Sequence, residues 1–200
     1  QVESTESSNR IEGILASRKR IQGIVLENTN PENRSEQEIA GYRDTLALIH
    51  ESAKEMAFSK SVIQQLHSMM YRYLPQPGGA WKPVDNEIVE RQIDGSLSVR
   101  FRPVSAVATP QAMLDLSRGF ERAFILEERP GLIIGPLVIL DFLCIHPFVD
   151  GNGRISRLLT LQLLYKMDYQ VGRFISLERV IEESKETYYE ALGRSSQGWH

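Results

Sequence analysis

The chain has 200 residues, 42% of them hydrophobic and 24% charged, as in an ordinary globular protein, and that length buries roughly 70% of the surface its unfolded chain would expose. A formal charge of −3 and a pI near 5.9 leave no basic footprint for nucleic acid. The single cysteine, Cys144, allows no intrachain disulfide and lies in the apolar run Leu137-Val-Ile-Leu-Asp-Phe-Leu-Cys-Ile145, which Asp141 interrupts and which is too short to span a bilayer. A buried thiol in a reducing, cytoplasmic compartment is therefore expected, with no membrane partner. No signal peptide opens the chain, and Gln1 in place of a methionine suggests a piece of something longer.

In chain order, Ser8 and Glu12 of Ser8-Asn-Arg-Ile-Glu-Gly13 stand four apart and so share one helix face; by themselves they read as a capping serine and a solvated glutamate. Ser35-Glu-Gln-Glu38 has the form of a capping box, and Ile39, Tyr42, Leu46 and Ile49 follow at helical spacing. Val62, Leu66, Met69 and Met70 repeat that pattern. Between Gln76 and Ser105 proline, glycine and a polar-apolar alternation around Asp94-Gly95 predict one β-hairpin. Thr109-Pro110 reads as an N-cap followed by a first-turn proline, opening a helix from Gln111 to about Leu126. Gly135-Pro136 marks the next helix start, running to about Ile145. Ile155, Leu158, Leu159 and Leu163 mark another helix, and Ser176 caps a last one through about Leu192. A helical domain with one hairpin is the expected fold, with one domain as the default for this length.

The nonapeptide His146-Pro-Phe-Val-Asp-Gly-Asn-Gly-Arg154 lies between two of these helices. Asp-Gly and Asn-Gly are turn signals, and a plain turn is one reading. The helical flanks favour a helix-loop-helix junction with Asn152 or Gly153 near the start of the second helix. Freed amides there point outward with the positive end of the helix dipole, and glycines let an anion approach the backbone. Arg154 and Arg157 are three apart, hence neighbours on the surface of the first turn, and two guanidiniums suit a polyphosphate. Asp150 adds a hard oxygen of the kind that holds magnesium together with a substrate's phosphates. His146 is a candidate general base, with a packed core histidine as the alternative, and Phe148 anchors the loop.

The stretch HPFVDGNGRISR resembles the signature of the Fic family, His-x-Phe-x-Asp/Glu-Gly-Asn-Gly-Arg-x-x-Arg, and matches it at His146, Phe148, Asp150, Gly151, Asn152, Gly153, Arg154 and Arg157. EIAGYRDTLALI, IQQLH, GGAWKPVDNEIVE and YYEAL are similar to the family's surrounding helices and flap. The resemblance implies an all-α, Fic-type helical domain with a small β-hairpin flap. It implies a transferase that moves AMP from ATP, its substrate, to a protein hydroxyl, with Mg2+ as cofactor. His146 would then deprotonate the target hydroxyl. Asp150 would hold the metal, Gly151, Asn152 and Gly153 would bind phosphate, and Arg154 and Arg157 would hold its β and γ end. Gly153 stands where the related Doc-type kinases carry lysine, which favours AMP transfer over phosphate transfer.

The segment from Lys82 to Val89, with Asn86 and Ile88, resembles the flap that takes a target's backbone as an added strand. Tyr188 stands where relatives place an aromatic near the adenine, although the asparagine the family often has soon after it is replaced here by Ser195 and Ser196. SNRIEG matches the family's inhibitory motif, Ser/Thr-x-x-x-Glu-Gly/Asn, so Glu12 would pair with Arg157 and block the γ-phosphate, in the subgroup whose inhibitory helix precedes the core. The implied organisation is an N-terminal segment over residues 1–34 with the inhibitory helix, then a catalytic domain over residues 35–200 with the flap at about 78–104. The target protein is unidentified, with the chain itself among the candidates, and would bind along the flap, and a homo-oligomer stays open. So do removal of AMP from a modified protein, transfer of another nucleotide or phosphocholine, and a non-catalytic nucleotide-binding adaptor.

Overall fold

The computed structural model describes residues 1–91 and 95–199, and its elements follow the hydrophobic spacing and the cap residues. In order they are α1 (Val2–Ile11), α2 (Arg18–Glu27), α3 (Arg34–Ser52), α4 (Lys60–Met70), β1 (Ile88–Arg91), β2 (Leu97–Phe101), α5 (Thr109–Phe120), α6 (Gly131–Ile145), α7 (Asn152–Lys166), α8 (Leu177–Glu183) and α9 (Lys185–Ser195). A π-helical turn, Glu121–Leu126, continues α5, and a 3₁₀ turn, Val171–Arg173, precedes α8. The fold is all-α with one small antiparallel hairpin. Among the described residues no helix is long and apolar enough to cross a membrane.

The chain divides into two compact units: Gln1–Ala80 with Gly153–Lys185, and Trp81–Asn152 with Glu186–His200. In the first, Ile39, Tyr42, Leu46 and Ile49 of α3 are fully buried, as are Ile63 of α4 and Ile155, Leu158 and Leu159 of α7. Ile21, Ile24 and Val25 of α2 pack with Ile39 and Ala40. Helix α7 also buries Arg154, Ser156, Arg157 and Gln162, so polar as well as apolar faces are enclosed. Helix α1 is different: Ser4, Thr5, Ser7, Ser8 and Asn9 are buried and Ile11 is its one buried apolar residue. It packs on α8, where Ser4 bonds Ser176 at 3.0 Å and Arg10 meets Glu182 at 3.1 Å.

In the second unit α5 packs on α6, and Phe142 and Phe148 lie in the core with ring centroids 6.5 Å apart. Cys144 is buried, and burial pushes its thiol up to about 11. The hairpin pairs Ile88 with Phe101, Val89 with Val99, Glu90 with Ser98 and Arg91 with Leu97, with an irregularity between Ile88 and Val89. Asp94 of the expected Asp94-Gly95 turn lies outside the described residues.

Several helix ends differ from the sequence reading. The cap of α3 is Asn33, whose side chain accepts from the Glu36 amide at 3.0 Å, so Ser35 lies inside the helix. Thr109 likewise lies inside α5, after Ala108, and its hydroxyl donates to the Ser105 carbonyl. Helix α6 starts at Gly131 and runs through Pro136, which falls in its second turn and costs the helix one backbone hydrogen bond, offset by the packing of the apolar face beyond it. Ser176 does cap a helix, but that helix ends at Glu183 and α9 starts afresh at Lys185. Helix α2 carried no strong signal: its ends are local, with Ser17 accepting from Arg20 and Asn28 left-handed at φ 52°.

Candidate functional site

His146 is the residue that ends α6. Its amide donates to the Phe142 carbonyl at 2.9 Å and its backbone is left-handed, with φ 49° and ψ 60°, a conformation that costs a non-glycine residue about 1–2 kcal/mol. The chain then turns into the core through Phe148, which is fully buried with Trp81 against it at 5.1 Å between centroids. Asn152 closes the loop: its Oδ1 accepts from the Phe148 amide at 3.0 Å and its Nδ2 donates to the Phe148 carbonyl at 2.8 Å. Asp150 is exposed, and its Oδ1 accepts from the Gly151 amide at 2.6 Å. Gly151 has φ 81°, which only glycine adopts without strain, and α7 begins at the next residue with its first amides unpaired within the helix.

The segment expected to form the flap touches this loop. Lys82 is buried, its Nζ donating to Asn86 Oδ1 at 2.8 Å and to the Ile145 carbonyl at 3.1 Å, and its amide to the Pro147 carbonyl at 2.8 Å. Burial lowers the Lys82 ammonium from its ordinary range, partly offset by Asp85. Asn86 Nδ2 faces the His146 and Phe148 carbonyls at 3.5 and 3.4 Å. Ile88 is half-buried in β1, and Tyr188 is half-buried on α9 with its ring edge-on to Tyr189 at 5.5 Å.

The two arginines of α7 are not on the surface, as their spacing suggested; Arg154 is 1% exposed and Arg157 3% exposed, because α7 runs through the interior. Each is matched by a glutamate. Arg154 Nη1 donates to Glu38 Oε2 at 2.7 Å, its Nη2 reaches the Tyr71 hydroxyl at 3.4 Å, and its guanidinium lies 5.7 Å from the Tyr71 ring centre. Arg157 Nη2 donates to Glu12 Oε1 at 2.7 Å and to the Ser8 carbonyl at 2.9 Å, while its Nε donates to Ser8 Oγ at 2.8 Å. Glu12 caps the C-terminus of α1. A Cβ at position 153 would run into Glu12 Oε1 and approach Arg157 Nη1 to 3.4 Å. Ser8, Glu12, Gly153 and Arg157 thus come together in one unit.

The sequence profile of the Fic/DOC family matches residues 57–164, just over half of the chain. The chain belongs to the Fic/DOC family. Among solved structures, a Fic domain containing signaling protein from Bacteroides thetaiotaomicron VPI-5482 is 22% identical, with a TM-score of 0.79 over 96% of this chain and 69% of that one. A Fic family protein from Desulfovibrio desulfuricans G20 is 21% identical, with a TM-score of 0.80 over 98% of this chain and 57% of that one. These likenesses show a shared Fic fold. An 87-residue stretch is also 33% identical to part of a ribonucleoside-diphosphate reductase small chain of Ostreid herpesvirus 1 (isolate France), covering 44% of this chain and only 13% of the viral protein.

Within this Fic fold, Glu38 is the partner of buried Arg154 that the sequence alone does not mark. It stood in an apparent capping box, and nothing local separates a capping glutamate from one that faces a buried arginine. The helical spacing of Tyr42 marks it only as a core residue. Its hydroxyl donates to Glu178 at 3.0 Å, and burial, then the Glu178 charge, raises it well above the usual phenol range.

Proposed function

We propose that the chain transfers AMP from magnesium-bound ATP to a hydroxyl side chain of a target protein, and that Glu12 holds it at rest. The observation that carries this reading is the pairing of Arg157 with Glu12 beside Gly153. A buried guanidinium in the last position of the Fic signature is occupied by a carboxylate of its own chain, which is what a γ-phosphate would have to displace.

In this reading His146 takes the proton of the target hydroxyl, the oxygen attacks the α-phosphorus of ATP, and pyrophosphate departs. Phosphate oxygens lie on the Gly151 turn and the first amides of α7, whose dipole favours them. Asn152 contributes its backbone, since its side chain is committed to Phe148. Arg157 takes the γ end once Glu12 withdraws, and Arg154, already matched by Glu38, has the smaller share. Among the described residues no group of three or more His, Cys, Asp or Glu side chains forms a cage for a metal. The exposed carboxylate of Asp150 fits an ion that arrives with the nucleotide and keeps its waters. Bound there, magnesium would neutralise triphosphate charge and favour the leaving pyrophosphate. Among the described residues the sheet has only the two strands of the hairpin, with Val89 and Val99 about half exposed, which supports a target strand adding there.

The test is intact-mass analysis of the parent and Glu12→Gly chains incubated with Mg-ATP, alone and with candidate target proteins. Addition of one AMP to any protein supports the reading. A chain that adds nothing but strips AMP from a modified protein runs the reverse reaction, and a chain that does neither is not this enzyme.

A further inference from the structure

We propose that Lys82 and Asn86 are positioning residues for His146. Four successive carbonyls, those of residues 145–148, each accept a hydrogen bond from this pair. Lys82 Nζ serves Ile145 at 3.1 Å, Asn86 Nδ2 serves His146 at 3.5 Å and Phe148 at 3.4 Å, and the Lys82 amide serves Pro147 at 2.8 Å. The two Asn86 contacts are long and share one amide nitrogen, so the lysine is the stronger anchor. Its ammonium also bonds Asn86 Oδ1 at 2.8 Å, which fixes how that amide points. The Ile145 carbonyl belongs to the last turn of α6, where the helix dipole favours a cation.

Burying an ammonium is costly, and a left-handed backbone at a non-glycine residue persists only where its surroundings over-determine it. Both costs fall on the same few atoms. Lys82 is 3% exposed and His146 has φ 49°; the lysine's bonds to the Ile145 and Pro147 carbonyls, which flank His146, and to Asn86 satisfy the first while holding the second. The direction of the imidazole follows from that backbone, so the clamp sets where a base at position 146 can reach. This inference rests on the reading of His146 as the general base.

The test uses the full chain in the Glu12→Gly background, with Lys82→Met, Asn86→Ala and, as a stability control in the same unit, Met113→Ala, which opens the buried face of α5. Two signals are followed: kcat against KM for ATP, and the ring resonances of His146, one of four histidines, identified by their loss in His146→Asn. Lys82→Met should lower kcat by about 10- to 100-fold, as a misplacement on the order of 1 Å does, with KM for ATP within about twofold. It should also move the His146 ring resonances, and Asn86→Ala should do the same more weakly. Met113→Ala should lower the unfolding temperature and leave both signals alone. Unchanged ring resonances and kcat in both clamp variants, or an equal shift in Met113→Ala, overturn the proposal. If Lys82→Met does not fold, the half-buried Asn86→Ala decides by the same signals. A chain that transfers AMP in no variant removes the functional reading, and the ring resonances still decide the clamp.

Discussion

Replacing Glu12 by glycine should release Arg157 and raise both productive ATP binding and AMP transfer. The pair is 2.7 Å long and joins a guanidinium 3% exposed to a carboxylate 32% exposed. A charge-assisted hydrogen bond contributes about 1.5–3 kcal/mol, and the exposure of Glu12 places this one in the lower half of that range. At 1.4 kcal/mol per tenfold, ATP should bind roughly 10- to 40-fold more tightly. The fold should survive, because Arg157 keeps Ser8 Oγ at 2.8 Å and the Ser8 carbonyl at 2.9 Å. A stability loss of about 1–2 kcal/mol would lower the unfolding midpoint by about 2–8 °C at this chain length. ATP titration by calorimetry and AMP incorporation from α-labelled ATP would be measured on the parent, Glu12→Gly, Arg157→Ala and the double variant. The double variant should stay inactive, since the γ-phosphate has lost its partner. Unchanged ATP affinity and unchanged labelling in Glu12→Gly refute the brake and leave Glu12 as a helix-terminal residue that happens to reach an arginine.

His146→Asn, which tolerates the left-handed backbone better than alanine, should cut transfer by about 10² to 10⁴ while the unfolding temperature holds; undiminished labelling would remove His146 from the chemistry. Asp150→Ala should slow transfer with nucleotide still bound, and EDTA should do the same to the parent, so metal-independent transfer would sink the assignment of Asp150. Gly153→Ala should displace the flexible end of Glu12 and tighten ATP binding. The change should lower stability slightly, since loss of the Glu12–Arg157 contact outweighs the gain of at most about 1 kcal/mol that alanine has over glycine in a helix, and a calorimetric titration that matches the parent's would argue against it. Glu36 accepts from Arg20 Nε at 2.9 Å and Nη2 at 2.6 Å and from the Glu32 amide at 2.8 Å, which holds its carboxyl down at about 2 against an ordinary 4.5. That group contributes stability above its ordinary value and loses it as pH falls through the folded one. Acid unfolding between about pH 4.5 and 2 should therefore be less steep in Glu36→Gln than in the parent.

What the sequence by itself determined is what lies close along the chain. The histidine, carboxylate, glycines and arginines of residues 146–157 occupy one short run, so the family signature was legible before any fold was known, and the spacing of Ser8 and Glu12 placed both on one helix face. The helical class and the hairpin followed from periodicity and turn residues, which act through neighbouring backbone. Helix ends were less legible, because Asn33 and Ser35 offer the same kind of oxygen and only the exit angle of the chain chooses between them. Pro136 lies inside α6 because packing on α5 outweighs a local breaking signal. Distance along the chain decided the rest. Arg157 finds Glu12 from 145 residues away and Arg154 finds Glu38 from 116, and the four carbonyls at the end of α6 and just past it find Lys82 and Asn86 from about 60. Which carboxylate neutralises a buried guanidinium, and which ammonium closes a helix end, depends on which helices share a face, and a buried charge takes the partner that the fold delivers to it.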